Sequence, residues 1–429
     1  MRNNIFFTVA LFIIFATCVC LVTVIPWHSA KAGVSIQTYM SGLLANEDNK
    51  EKEIRKELKK VEIERILDEA YNNKMFNGQV LYAENGEILV NKTYGYSDLY
   101  KKTPIDNTWK FQMSSTSKPI TAVAIMKLYD EGKIDIDKSV KHYLADFPFP
   151  DNITVKHLLQ HRSGLPDYIK LADRNWNKTK TFTNRNLSPF LKNISAKIKF
   201  APGTRFEYCN TNYAYLALLV EKCSGFTFEF YVRTQIFDPL KMTNSYVFNP
   251  SKGRQSKTVK GYSFSRRRGF YERPIEFADG TVGDKGVYST AEDFFLFDQA
   301  LSDDNFLSSK SKQLMFTPTQ PLSQTHNNDY GLGFRISIDS IFSANHNQRV
   351  FHNGWWNGFR SFYIHSPQNE RTLIWLNNRS DVTLASTINT ILMFADSIDN
   401  PAKYKRSVSP STSPQDALPE DEYYGGGEE

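Results

Sequence analysis

The stretch Phe111-Gln112-Met113-Ser114-Ser115-Thr116-Ser117-Lys118-Pro119 decides how this chain is read. A helical pattern runs on from it, from Pro119 to Asp130, and three-residue spacing on a helix puts Ser115 and Lys118 side by side on one face. A serine hydroxyl is a weak nucleophile until a base takes its proton. A lysine desolvated in a pocket does so once its pKa falls. Serines also cap ordinary helix starts, and an S-x-x-K tetrapeptide arises often by chance, so this segment alone does not decide between a cap and a catalytic pair.

Two further segments follow in order. Phe206-Glu207-Tyr208-Cys209-Asn210 contains a Y-x-N triplet and leads through Thr211-Asn212-Tyr213 into an apolar helix. Taken alone, Tyr208 reads as a partly buried aromatic with a satisfied hydroxyl. Phe351-His352-Asn353-Gly354-Trp355 stands before a hairpin near the end of the chain. Gly354 there either allows a substrate close to a strand edge or makes a simple turn.

The succession S-x-x-K, Y-x-N, H-x-G resembles the pattern of class C β-lactamases, their esterase relatives and the serine D-peptidases of the same fold. Ile153-Thr154-Val155-Lys156-His157-Leu158-Leu159-Gln160-His161-Arg162-Ser163-Gly164-Leu165-Pro166 resembles that family's segment after the nucleophile. Gly283-Asp284-Lys285-Gly286-Val287-Tyr288-Ser289-Thr290-Ala291-Glu292-Asp293 resembles its later G-x-Y-S-T-x-x-D segment. The likeness runs from about Phe76 to about Phe394.

The resemblance implies an α/β fold: a three-layer sandwich with a mostly antiparallel central sheet flanked by helices, plus a mostly helical lobe, with the active site in the cleft between them. It implies Ser115 as nucleophile at the N-terminus of the central helix, where free amides favour negative charge. Lys118 activates it, and Tyr208, hydrogen-bonded to that lysine, serves as general base in one half-reaction and general acid in the other. Asn210, His352, Asn353, Gly354 and Trp355 bind the substrate, and the amides of Ser115 and Trp355 form the oxyanion hole. The reaction passes through an acyl-enzyme and needs no metal or organic cofactor.

The third motif departs from the family's usual K-T-G followed by a small hydroxyl residue. His352 replaces the lysine and is mostly neutral at pH 7 if unperturbed. Asn353 and Trp355 replace the hydroxyl residues. Some family D-peptidases carry H-x-G as well, so the departure favours an ester or peptide carbonyl over a β-lactam. A β-lactamase or D-alanyl-D-alanine carboxypeptidase remains the alternative, and a non-catalytic relative that binds envelope peptides is the alternative of another class. Trp355 and Trp356 suggest the wall of an apolar pocket, and Arg349 or Arg360 could meet a substrate carboxylate. Cys209 reads as a small packed residue rather than a reactive thiol. His157 and His161 stand four apart, but without an acidic partner or a third ligand no metal site is expected.

The rest of the chain places this body. Among 429 residues, 41% hydrophobic with 31 Phe and 22 Tyr, there is ample material for a core. The net charge of +6 is spread among acidic residues, which speaks against a nucleic-acid partner; a small-molecule or peptide substrate is expected instead. The apolar run Ile5 to Trp27, after Arg2 and before Ala30-Lys31-Ala32, suggests a signal peptide or a single membrane anchor within 1–32, hence export to the periplasm or the extracellular side. Residues 33–73 read as a charged linker and an amphipathic helix with Ile54, Leu58, Val61, Ile66 and Ala70 as its packing stripe. The catalytic domain spans 74–398. Hairpins are expected around Asn85-Gly86 and around Pro367-Gln368-Asn369, and a closing helix over Val382 to Phe394. The Pro/Ser-rich, acidic segment 399–429 reads as a disordered tail. Cys209 and Cys223 flank a helical stretch too long for a disulfide to span, so two free thiols are expected there.

Overall fold

The structure, a computed structural model, describes residues 36–320, 328–338, 348–366, 370–381 and 385–399, with side chains from residue 49 onward. The N-terminal apolar run, Cys18, Cys20, Pro367-Gln368-Asn369 and the tail beyond 399 lie outside the described residues. Among those described, no helix is long and apolar enough to cross a membrane. The chain divides into two compact units, 1–57 and 58–429. Helix α1 runs over Ile36–Asn72, and its last part belongs to the second unit together with the sheet and the helical lobe.

Seven of the described strands build one antiparallel sheet: β1 (Gly78–Glu84), β2 (Glu87–Tyr94), β3 (Asn328–Tyr330), β4 (Arg335–Ile338), β5 (Gln348–Trp356), β6 (Phe359–Ser366) and β7 (Arg371–Asn377). Their order is β3-β4-β5-β6-β7-β1-β2, so the first strand of the body pairs with the last, Val80 opposite Trp375. The first expected hairpin forms as β1–β2. Its turn puts Asn85 at φ 50° and Gly86 at φ 74°, a region open to glycine and tolerated by asparagine. The second expected hairpin forms as β6–β7.

Successive side chains of a strand face opposite ways, and both faces of this sheet are buried. Tyr82, Phe362, Ile364, Leu373 and Trp375 face α1 and the closing helix α5 (Ala385–Asp399). Leu81, Ala83, Tyr363, Ile374 and Leu376 face the interior with Phe294 of helix α4 (Ala291–Ala300). This two-sided burial explains why these strands read as continuous apolar runs. The helical lobe centres on α2 (Ser117–Asp130) against α3 (Asn210–Ser224). Cys209 and Cys223, at the two ends of α3, are both free.

The stripe expected on α1 is corrected. Its packed residues are Ile63, Ile66, Leu67 and Ala70, whereas Ile54, Leu58 and Val61 are more than half exposed. At about 100° per residue, these three fall on the side opposite Ile63, so two apolar stripes with similar spacing were merged into one.

On the sheet face under α1, four buried charges and the partly exposed Asp399 form one network. The Lys59 ammonium bonds to Glu84 (2.6 Å) and Asp399 (2.7 Å). Arg371 of β7 bonds to Glu84 (3.0 Å), Asp396 and Asp399. The network ties α1, the sheet and α5 together. Removing one partner of a buried pair leaves the others uncompensated, which costs about 3–5 kcal/mol. Arg371→Ala is therefore expected to lower unfolding stability by about that amount in denaturant titration of the purified protein, with much less effect from an exposed pair such as Lys178–Asp173.

Candidate active site

A single 3-10 turn, Ser114–Thr116, joins the short strand Phe111–Gln112 to α2. Ser114 sits at φ 51°, in the left-handed region, and its amide donates to Gln112 Oε1 (3.0 Å). A non-glycine residue there costs of order 1–3 kcal/mol and persists only when its surroundings enforce it. Here β5 and β6 do so. Ser361 Oγ donates to the Met113 carbonyl (2.6 Å) and lies 2.8 Å from Thr116 Oγ1.

Gly354 of β5 lies under the same turn. A Cβ on it would stand 2.4 Å from Ser361 Oγ, 2.6 Å from the Met113 oxygen and 2.9 Å from Ser114 Cβ. The close approach that requires glycine is made by the protein's own serine turn.

Lys118 is fully buried. Its Nζ donates to Ser115 Oγ (3.0 Å), Asn210 Oδ1 (3.0 Å) and the backbone carbonyl of Asp284 (2.9 Å). It also lies 4.8 Å from the centre of the Tyr208 ring and 5.7 Å from that of Tyr213, within cation–π range. The hydrogen bond expected between Lys118 and Tyr208 is not made; the amine is turned to the three oxygens instead. The Tyr208 hydroxyl is instead buried and without a hydrogen-bond partner. Burial pushes its pKa up, against the opposing influence of Arg335 and the Ser115 hydroxyl, so the resting phenol is neutral.

Around Tyr208 lies a buried cluster of rings. His352 Nδ1 faces the Asn353 carbonyl (2.7 Å), which only accepts, so Nδ1 carries the proton. Its Nε2 then accepts from the Tyr330 hydroxyl (3.1 Å). His161 Nδ1 accepts from the Cys209 amide (3.1 Å), and its ring lies 4.3 Å from that of Tyr208. Burial drives both histidine pKa values well below the ordinary range, with the cations Lys118 and Arg335 adding to the effect. His352 therefore supplies no charge. His157 caps its helix by accepting from the Thr154 amide (3.3 Å). The Cys209 thiol is buried against the Leu165 carbonyl, and burial pushes its pKa up to about 12. Among the described residues no group of three His, Cys, Asp or Glu could hold a metal ion.

The arginines are also rearranged. Arg349 pairs with Asp396 of α5, and Arg360 Nε donates to the Ser380 carbonyl (3.0 Å). The cation beside the site is Arg335 of β4, which the sequence did not suggest. Its guanidinium carbon lies 5.3 Å from the centre of the Tyr208 ring. Its Nε is buried without a hydrogen-bond partner, and it makes no ion pair among the described residues. Trp355, 37% exposed, and Trp356 do line a cavity, of about 490 Å³. It is not apolar: Lys170, Asp173, Arg273 and Glu276 share its wall, and Trp356 Nε1 donates to Asp279 (2.6 Å).

The sequence profile of the β-lactamase family matches residues 63–393. The chain belongs to the β-lactamase family. It is 33% identical over 338 residues to penicillin-binding protein 4* of Bacillus subtilis, covering 76% of this chain and 74% of that one. It is 27% identical over 310 residues to protein flp of Staphylococcus aureus, covering 70% of this chain and 59% of the relative. Among solved structures, a penicillin-binding protein from Bacillus halodurans superposes with a TM-score of 0.67 at 25% identity, over 77% of this chain and 98% of that one. A D-amino acid amidase from Ochrobactrum anthropi shares the fold, with a TM-score of 0.65 at 22% identity, over 80% and 98%.

Because Gly354 packs directly on the serine turn, a methyl group there must push the turn aside. Gly354→Ala is expected to displace Met113–Ser114 and to slow fluorophosphonate labelling of Ser115 by roughly a hundredfold, the cost of about an ångström of misplacement. Far-UV circular dichroism should remain that of the wild type.

Proposed function

We propose that this protein is a serine hydrolase that cleaves an amide or ester through an acyl-enzyme on Ser115. The observation that carries this reading is the buried Lys118 amine held 3.0 Å from the Ser115 hydroxyl by two further fixed acceptors. Neutral Lys118 takes the Ser115 proton as Oγ attacks the carbonyl carbon. The oxyanion is received by the amides of Ser115 and Trp355, a pairing supported by the packing of Gly354 on the serine turn. The neutral Tyr208 phenol gives its proton to the leaving group and is reprotonated from the Lys118 ammonium. In the resting enzyme it is an acid rather than a base, because burial holds its proton on. Water then resolves the acyl-enzyme by the reverse proton path.

The family and the names of its relatives support a substrate of the cell envelope, as in a penicillin-binding protein or an amidase acting on D-amino acid amides. The catalytic body 74–398 would be exported, and processed or anchored through residues 5–27. Asn210, Asn353 and Trp355 would contact the substrate. A buried, uncharged His352 disfavours holding a β-lactam carboxylate at the third motif. Arg335, with its unsatisfied Nε, would receive a carboxylate instead.

The reading is tested by fluorophosphonate labelling and by turnover of acyl esters, D-amino acid amides and a chromogenic β-lactam. Ser115→Ala should abolish labelling, and Lys118→Met should reduce acylation by at least about a hundredfold while the fold persists. Equal labelling of wild type and Ser115→Ala would sink the proposal. Separately, Arg335→Ala should raise KM about 10- to 100-fold for substrates bearing a free carboxylate, the worth of a charge-assisted hydrogen bond. It should leave neutral acyl esters nearly unaffected in steady-state assays.

A further inference from the structure

Two of the three acceptors around Lys118 are themselves anchored, and the anchors converge on the dipeptide Asp167-Tyr168. Asp167 Oδ1 caps the short helix Tyr168–Asn175 by accepting from the Ile169 amide (2.9 Å). Its Oδ2 accepts from both the backbone amide and the side-chain Nδ2 of Asn210 (3.0 Å each). The carboxylate can only accept, so the Asn210 amide has one possible orientation: Nδ2 toward Asp167 and Oδ1 toward Lys118.

The next residue secures the other acceptor. The fully buried Tyr168 hydroxyl donates to Asp284 Oδ2 (3.0 Å), and buried Lys285 donates to the Tyr168 oxygen (2.6 Å) and to the same Oδ2 (3.2 Å). Lys285 has only donors and the carboxylate only acceptors, so every proton direction in this triangle is forced. The Lys285 ammonium also lies 4.7 Å from the centre of the Trp356 ring. A buried ion pair is weak evidence for stability; here its geometric effect is to pin residue 284, whose backbone carbonyl receives Lys118.

We propose that Asp167, Tyr168 and Lys285 are positioning residues that aim the lone pair of Lys118 at the Ser115 hydroxyl. The inference rests on the acyl-enzyme reading of Ser115. A neutral amine has two N–H bonds and one lone pair. With the two N–H bonds fixed on Asn210 Oδ1 and the Asp284 carbonyl, the lone pair falls on the remaining direction, where Ser115 Oγ lies. Loosening either acceptor lets the amine rotate about its last carbon–nitrogen bond, so proton abstraction slows while substrate contacts persist.

The test is the second-order rate of fluorophosphonate labelling per titrated active site, measured against pH, with a thermal melt of each variant of the full chain. Tyr168→Phe and Asp167→Asn are expected to lower that rate about tenfold or more at every pH. Lys285→Met, which removes the donor to Tyr168 and Asp284, is expected to lower it likewise. Lys285→Arg, which keeps a cationic donor toward Tyr168 and Asp284, should retain more of the rate than Lys285→Met and guards against a variant that fails to fold. Wild-type rates per site and an unchanged profile in Lys285→Met and Tyr168→Phe would overturn the proposal, even if fewer sites were active. Ser115→Ala separates the two readings: if it labels normally, the acyl-enzyme reading fails. If it is silent while the positioning variants behave as wild type, only the positioning role fails.

Discussion

Burial of the Lys118 amine is the constraint around which the rest is arranged. Taking an ammonium out of water costs several kcal/mol, and the site offsets this with three oxygen acceptors and two aromatic faces. Each acceptor comes from a different part of the chain: the serine turn, the start of α3, and the loop before the strand Val287–Ser289. The lysine thus becomes a meeting point for segments that are distant in the sequence. The same low-dielectric surroundings that make its charge expensive are those in which it can act as a base.

The sheet supplies a second condition. Ser114 holds an unfavourable backbone conformation because Ser361 and the backbone of Gly354 press against it. Any side chain at Gly354 would collide with that turn, so strand β5 and the serine turn are fitted to one another directly. The far face of the sheet is closed by α1 and α5 through the Lys59–Glu84–Arg371 network, which joins the two ends of the body while leaving the reactive face to the other lobe.

The rings behind Tyr208 explain the altered third motif. His352 is locked as a neutral tautomer between its neighbour's carbonyl and Tyr330, so it replaces a cation with a hydrogen-bonded wall. The positive charge of that region moves one strand away, to Arg335. The cavity beside Trp355 and Trp356 is mixed, with two basic and three acidic side chains among its apolar ones.

Much of this was legible in the sequence, for identifiable reasons. The order of Ser115, Lys118, Tyr208, Asn210 and His352 carried the family. The Asn85-Gly86 turn and the apolar runs of β1, β6 and β7 carried the sheet, because turn chemistry and short apolar runs are local features of the chain. The packing stripe of α1 was misread, since helical periodicity says that a face is apolar but not which of two such faces meets the sheet. The carbonyl of Asp284, the Arg335 guanidinium and the orientation of Asn210 could be found only in the folded molecule. A backbone oxygen has no letter of its own, and a hydrogen bond between residues distant in sequence depends on how the lobes pack. Sequence alone determined that Ser115 and Lys118 lie one turn apart. Tertiary structure decided that the lysine also meets Asn210 and the Asp284 carbonyl, because both come from distant parts of the chain.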